Sequence, residues 1–233
     1  MMNRVVVIGG GGRLGRLLVG ALARRGAQVE VVSRQPAATR HRLPRGVGVH
    51  GGDVRDARSL TGPLAGCGAV VFAAETGFAD DGPDSPRATL YEGVANTVDA
   101  ARTGSKAPRV LLVSQICVTR PEHPTNAYGR LLDWRLAGEE VVRDSGLPYT
   151  VVRPGWFDDA ARHGGIRLDQ GDAMNGFIRR EDCAETIAEA LASPATVGVT
   201  FEVFNEPAPA AAAGVHDWPA MFGALDADLD PVR

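Results

Sequence analysis

Lysine is nearly missing from this chain of 233 residues: Lys106 stands alone among 25 basic side chains, and the rest are arginine. An arginine standing where a lysine is expected therefore carries little weight by itself. Cysteine is scarce too. Cys67, Cys117 and Cys183 are odd in number, widely spaced and contain no C-x-x-C pair. That pattern excludes a disulfide framework and predicts reduced, buried thiols in a cytoplasmic protein. No apolar run approaches the roughly 20 residues of a membrane span, and "MMNRVVVIGG" enters an apolar strand without a signal-peptide pattern. The net charge is −3 and the charges are interspersed, so neither nucleic acid nor a membrane surface is an expected partner. Metal-ligand spacing and a G-x-S-x-G nucleophile turn are both missing, so neither a metal nor serine hydrolysis is expected. What is present is 44% apolar residues, enough for a sizeable core.

Short apolar runs alternate with helix-length segments. Strands are predicted at 4–9, 28–33, 47–52, 68–74, 109–114, 149–154 and 200–206, mostly Val-rich and apolar at consecutive positions, as strands buried on both faces should be. Amphipathic helices are predicted over 13–25, 56–64, 86–103 and 128–144, with another in "RREDCAETIAEALASP", stopped by Pro194. A short terminal helix is predicted within 216–226. The β-α-β rhythm implies an α/β fold, a Rossmann-like doubly wound parallel sheet. Residues 156–178 lose periodicity and 207–215, "PAPAAAAGV", read as linker. One domain over 1–233 is expected, with 156–233 contributing an irregular cap on the substrate side.

The strongest local signal is "VVVIGGGGRLGRLLVGAL", where Gly9, Gly12 and Gly15 stand three apart between a strand and a helix. The first glycine allows the tight turn, and the second lets the backbone approach a pyrophosphate. The third lets the helix pack on its strand, while N–H groups at the helix start face the anion. Arg13 and Leu14 belong to the same turn. At the end of the second strand a cofactor with a free 2′-hydroxyl is usually met by Asp or Glu. This chain has Ser33 and Arg34 there, with Arg13 close by, which suits a 2′-phosphate and predicts NADP(H). Glu30 lies inside the strand and is a poor substitute.

"GGGGRLG", "GDVRD" (52–56), "VFAA" (71–74), "VLLVSQ" (110–115) and above all "RDSGLPYTVVRPG" (143–155) give a spacing that resembles the short-chain dehydrogenase/reductase superfamily. The resemblance is closest to its atypical NmrA-like and NAD(P)H-binding branch, which includes flavin and biliverdin reductases. It implies that Asp53 and Val54 bracket the adenine and that Ala73 and Ala74 lie along the cofactor. Pro154 and Gly155 would pass the nicotinamide, and Ser114 would point at the substrate with Gln115 beside it. Doubly wound sheets bind ligands at these strand ends in any case. For Asp53 a turn or helix N-cap is the alternative. Asn96 is either the family's helix-kinking asparagine or a plain surface residue. Trp156 and Phe157 are expected to line a pocket for a flat apolar ligand.

The helix "AYGRLLDWRLAGEE" (127–140) lacks the expected acid. Counting back from "RDSGL" puts Leu131 at the family's tyrosine and Arg135 at its lysine. Tyr128 lies a turn earlier and has three open readings: a substitute acid, a packing residue, or a substrate contact. Hydride delivery to a simple ketone leaves an alkoxide about as basic as hydroxide, whose parent acid has pKa about 15.7. A tyrosine of pKa about 10 needs tuning to serve there. A quinone, flavin or conjugated acceptor leaves a delocalised anion that needs far less help. Arg135 cannot donate a proton at neutral pH but can hold a ribose or an anion. His123 and His163 are loop residues that could supply a proton, but each is read first as solvated.

These readings predict an NADPH-dependent reductase of a flat conjugated carbonyl, quinone or flavin-like acceptor, with Ser114, Tyr128 and Arg135 as candidate catalytic residues. Two alternatives stay open: a non-catalytic NADP(H) sensor of NmrA type, and a ketoreductase using Tyr128. The expected partner is a small aromatic or conjugated molecule, and a homodimer is left open.

Overall fold

The computed structural model describes residues 4–77, 79–104, 106–160, 164–206 and 216–229. The predicted linker 207–215 and His163 lie outside them. Val-rich segments form β1 (Val5–Ile8), β2 (Val29–Ser33), β3 (Gly48–Gly51), β4 (Ala69–Phe72), β5 (Arg109–Val113) and β6 (Tyr149–Pro154). β7 is Trp156–Phe157, β8 Gly165–Asp169, β9 Phe177–Ile178 and β10 Val199–Glu206. Eight of these make one sheet in the order β3-β2-β1-β4-β5-β6-β10-β8, parallel throughout except for antiparallel β8. The strand order reverses between β1 and β4, and a cleft opens there at the carboxyl ends.

Helices cover both faces. The α1 helix (Arg13–Arg24) and α6 (Arg180–Ala192) pack on one, with Leu18, Leu22, Ile187 and Leu191 meeting Val5, Val7, Val31 and Phe201. On the other lie α3 (Ala57–Leu64), α4 (Glu92–Arg102) and α5 (Leu131–Arg143), where Leu60, Val94, Val98 and Val142 meet Val6, Ile8, Phe72 and Val151. A five-residue α2 (Pro36–Arg40) and a terminal α7 (Trp218–Gly223) complete the set.

Three expectations need correction. The segment 156–178 holds more order than its sequence shows. β8 joins the main sheet beside β10, and β7 pairs with β9 in a separate two-stranded ribbon. These strands are two to five residues long and polar in part, too short for periodicity to register. The helix predicted over 86–103 starts with a π turn, Arg87–Tyr91, before α4 proper. The helix predicted over 128–144 starts only at Leu131, because Gly129 and Arg130 take left-handed backbone (φ +58° and +56°) and reverse the chain.

A buried ionic network ties α5 to the sheet. The Glu139 carboxylate, fully buried, accepts from Arg153 Nε (3.0 Å) and Nη2 (2.7 Å) and from Arg143 (2.7 Å). Arg153 Nη1 also reaches Glu202 at 3.2 Å. Burial alone would lower the Arg153 guanidinium, but Glu139 and Glu202 outweigh it and hold it above its ordinary value. Glu202 is less well served, since its Oε2 is buried without a partner. Desolvation therefore pushes its carboxyl up to about 6, against the opposing pull of Arg153.

A carboxyl raised in the folded state binds its proton more tightly there than in the unfolded chain. Its contribution to stability is present at low pH and lost as the pH rises through about 6. Glu202→Gln should therefore gain stability relative to the wild type between pH of about 4.5 and about 6.5, and the gap should level off above that window. Thermal melts of both proteins across this range check it; parallel Tm curves would show that Glu202 does not titrate there.

Candidate functional site: a dinucleotide cleft

The cleft has a volume of about 860 Å³ and follows the sheet edge from β2 across β1, β4 and β5 to β6. Its floor is the glycine turn. Gly9 takes φ +84°, and a Cβ there would collide with the Ala73 backbone of the neighbouring strand end. A Cβ on Gly15 would fall on the Gly9 carbonyl. These two glycines let strand, turn and helix press together. Gly12 differs: a Cβ there meets only the Gly9 carbonyl oxygen, at 3.2 Å, and otherwise points into open cleft. Gly12 is the N-cap of α1, with no side-chain cap and no acidic residue in the first turn. The N–H groups of Arg13, Leu14 and Gly15 thus start a helix that has nothing local to bind them, and all three residues line the cleft.

Beyond β2 the cleft is cationic. Arg13, Arg34 and Arg42 line it beside Ser33 and Thr39, whose hydroxyls share a hydrogen bond of 2.7 Å. Among the described residues none of the three arginines has a carboxylate within salt-bridge reach. Glu30 is engaged by Arg4 and His50, each at 2.7 Å, and the Arg4 guanidinium holds its carboxyl below the usual range. Asp53 lines the cleft, yet its carboxylate is clamped by Arg55 (2.9, 3.1 and 2.5 Å), which keeps it well ionised. The N-cap role weighed for Asp53 belongs to Asp56, which accepts from Arg58 N. Asn96 is not a plain surface residue: its amide donates to the Val54 carbonyl at 2.9 Å and fixes that loop.

The opposite end is built by β4, β5 and β6. Ala73, Ala74, Ser114, Gln115, Leu131, Arg135, Pro154, Gly155, Trp156 and Phe157 all line it, as placed from the sequence. Ser114 N and Ile116 N donate to Val152 and Pro154 carbonyls (2.8 and 3.1 Å), so the β5–β6 ladder continues past Val113 and holds this loop to the edge. Among the described residues, Ser114 Oγ, Gln115 Nε2 and Arg135 Nε are buried and have no hydrogen-bond partner. Orphaned buried polar atoms are expensive, and three converging on one cleft mark where a ligand's polar groups belong. Together with the uncapped helix and the open face of Gly12, they fit an NAD(P)H-type dinucleotide. Among the described residues, no group of His, Cys, Asp and Glu could hold a metal ion, and no helix is long and apolar enough to cross a membrane.

Leu131 and Arg135 both face the cleft, at the acid and lysine positions deduced from register. Arg135 is 6% exposed and donates to Glu75 Oε2 at 2.8 Å. Tyr128 does not share their helix face. It lies before the reversal at 129–130, is 57% exposed and does not line the cleft. The left-handed pair Gly129–Arg130, unreadable from periodicity, causes the difference. His123 also stays out of the cleft lining; it stacks on Trp156 (centroids 5.6 Å apart), and its Nδ1 accepts from Thr125 N. Several lining or supporting residues escaped the sequence reading, among them Glu75, Arg42, Arg180 and Asp172. Glu75 follows "VFAA" directly and its position could have flagged it. Arg42, Arg180 and Asp172 sit on or beside irregular loops and give no motif. Arg180 lies over the Phe157 ring (4.5 Å) and pairs with Asp159. Asp159 also accepts from the Arg180 amide, so it stands at the start of α6 as a helix-start residue should.

Residues 9–194 match the profile of the NAD(P)H-binding family. Sanguinarine reductase of Eschscholzia californica is 31% identical over 147 residues, covering 59% of this chain and 52% of that protein. Quinone oxidoreductase 2 of Escherichia coli is 23% identical over 214 residues, covering 88% and 69%. The chain spans between about half and two thirds of the length of curated relatives such as sanguinarine reductase. A short-chain dehydrogenase/reductase of Veillonella parvula, solved in complex with NADP, superposes with a TM-score of 0.70 at 18% identity, covering 90% of this chain and all of that one. At that identity the likeness is one of fold.

The roles of the second and third glycines of the turn are separable. Gly12→Ala should weaken dinucleotide binding at least about 10-fold by blocking the closest approach, with Tm within about 2 °C of wild type. Gly15→Ala should instead unfold or strongly destabilise the protein. Titration of bound NADPH fluorescence together with thermal melts decides it; tight binding by Gly12→Ala would remove the pyrophosphate from this turn.

Proposed function

The chain belongs to the NAD(P)H-binding family, and we propose that within it this protein is an NADPH-dependent reductase of flat conjugated acceptors: quinones, conjugated carbonyls or flavin-like rings. The observation that carries the reading is Leu131. An apolar side chain stands in the cleft where an acid is needed for simple ketones, while the polar atoms beside it are hydrogen-bond donors. Such a site suits acceptors whose reduced anion is already stabilised by delocalisation.

Arg13, Arg34 and Arg42 support the phosphorylated cofactor, because a guanidinium grips phosphate with two parallel hydrogen bonds and, among the described residues, none of the three is held in a salt bridge, although Asp53 and Asp159 stand near enough to feel Arg34 and Arg13. Gly9, Gly12, Leu14 and Gly15 would bring the backbone to the pyrophosphate. Ser33 would stand by the adenosine ribose, Asp53 and Val54 by the adenine. Bound there, the reduced dinucleotide supplies a hydride. Ala73, Ala74, Pro154 and Gly155 confine its reactive end, and Trp156 and Phe157 offer aromatic surface to a planar acceptor. Ser114 Oγ and Gln115 Nε2 each can donate one hydrogen bond to an acceptor oxygen, orienting it and spreading the charge that arrives. The proton that completes a hydroquinone comes from water at the open mouth. Arg135, held by Glu75, lines the cleft and would place positive charge there without donating a proton.

NADPH consumption with 1,4-naphthoquinone tests the reaction, and turnover above the protein-free background is expected. Binding of NADPH with no consumption across quinone and flavin acceptors would replace the reductase with a cofactor sensor. Arg34→Ala combined with Arg42→Ala should weaken NADPH roughly 10- to 100-fold, the worth of one or two charged hydrogen bonds, and leave NADH affinity unchanged. Equal losses for both cofactors would overturn the NADP assignment. Tyr128→Phe should keep kcat within about two-fold, since a positioned general acid contributes about 100-fold or more; a loss of that size would restore Tyr128 as the acid.

A further inference from the structure

The two walls of the acceptor end come from separate parts of the chain. One is the Ser114–Gln115 loop after β5. The other is Trp156–Phe157 in β7, held by the segment 174–178: Trp156 N donates to the Gly176 carbonyl (2.9 Å), and its Nε1 donates to Asn175 Oδ1 (2.7 Å). One side chain ties the first wall to the stretch of chain just before 174–178. Asp172 is 1% exposed, and its Oδ1 accepts from Cys117 N at 2.6 Å. Its Oδ2 accepts from Thr119 N and Thr119 Oγ1, both at 2.9 Å. Arg120 returns the link by donating to the Asp172 carbonyl. Cys117 and Asp172 both hold left-handed backbone (φ +69° and +53°), unusual for residues with a side chain. A conformation of that kind persists only where its surroundings impose it. Here the carboxylate accepts one hydrogen bond at the strained Cys117 and two more at Thr119 beyond it.

We propose that Asp172 is a positioning residue for the acceptor. It pins the 115–120 loop in its left-handed turn, so that Ser114 Oγ and Gln115 Nε2 face the cleft, and it fixes that loop to the segment bearing the opposite aromatic wall. Asp172 itself does not line the cleft and touches neither cofactor nor acceptor. The proposal rests on the reductase reading for its kinetic consequence, and on the hydrogen bonds alone for its structural one. The dinucleotide end, on the far side of β1, is not part of the pin.

The test compares Asp172→Asn and Thr119→Val with wild type in the full-length protein. Asparagine keeps the shape but cannot accept from both loop amides, and Thr119→Val removes one bond without touching Asp172, so it serves if the first variant folds poorly. The expected result is a rise in KM for 1,4-naphthoquinone and a fall in kcat/KM of roughly 10- to 100-fold, the scale of a misplacement near 1 Å, with the Kd for NADPH within about two-fold. Amide hydrogen exchange should speed up in 115–120 and in 156–157 together with 174–178, and stay unchanged over β1 and α1. A parallel loss of NADPH binding, or unchanged exchange in either wall, would overturn the proposal. If the wild type reduces no quinone, the reductase reading falls while the exchange comparison still decides whether Asp172 joins the two walls.

Discussion

The cleft exists because three backbone segments touch with no side chain between them. Gly9 lies against the end of β4 at Ala73, and Gly15 lies against the Gly9 carbonyl. Any Cβ at either contact would force α1 away from β1 or β1 away from β4. With that contact in place, the uncapped start of α1 lands at the reversal of strand order, and its free amides open into the cleft. The binding of an anion is thus prepared by packing alone, before any charged side chain contributes.

Charge is then distributed unequally along the cleft. At the β2 end Arg13, Arg34 and Arg42 form no salt bridge among the described residues, so their positive charge is left for whatever phosphate arrives. At the other end the cations are answered: Arg135 by Glu75, Arg180 by Asp159. What remains unmet there is neutral, the hydroxyl of Ser114 and the amide of Gln115, together with one N–H of Arg135. A cleft built this way holds its ligand by one end and leaves the other to hydrogen bonding and aromatic surface. That division agrees with chemistry in which the group being reduced stabilises its own negative charge.

Behind the acceptor end, carboxylates act as structural pins. Glu139 and Glu202 surround Arg153 under β6 and β10, and Asp172 ties the loop after β5. Burying such groups is unfavourable unless each finds donors, which is why Glu202, with one oxygen unmet, is raised while Glu139 accepts from two arginines. These pins were invisible in the sequence. Glu202 stands between Phe201 and Val203 in a strand and Glu139 between Gly138 and Glu140 in a helix, and only the packing of α5 onto the sheet encloses the two.

The chain order, the parallel sheet and the glycine turn were legible from the residues, since each rests on local rules: consecutive apolar residues for buried strands, helical spacing, and glycine where the backbone must pass close. The register that places Leu131 and Arg135 at the cleft was legible too, because helix α5 and strand β6 are joined by a short connection that fixes their offset. The exclusion of Tyr128 was not. It depends on left-handed backbone at Gly129 and Arg130, and one of those is a residue that seldom adopts it. Nor could the sequence show Arg42 beside Arg34, Glu75 on Arg135, or Asp172 beneath Cys117. Contacts between loops far apart in the chain are set by how the sheet twists and what its neighbours leave open, and no periodicity records them. The residues alone determined a dinucleotide-binding fold; the tertiary structure decided which side chains stand along its cleft.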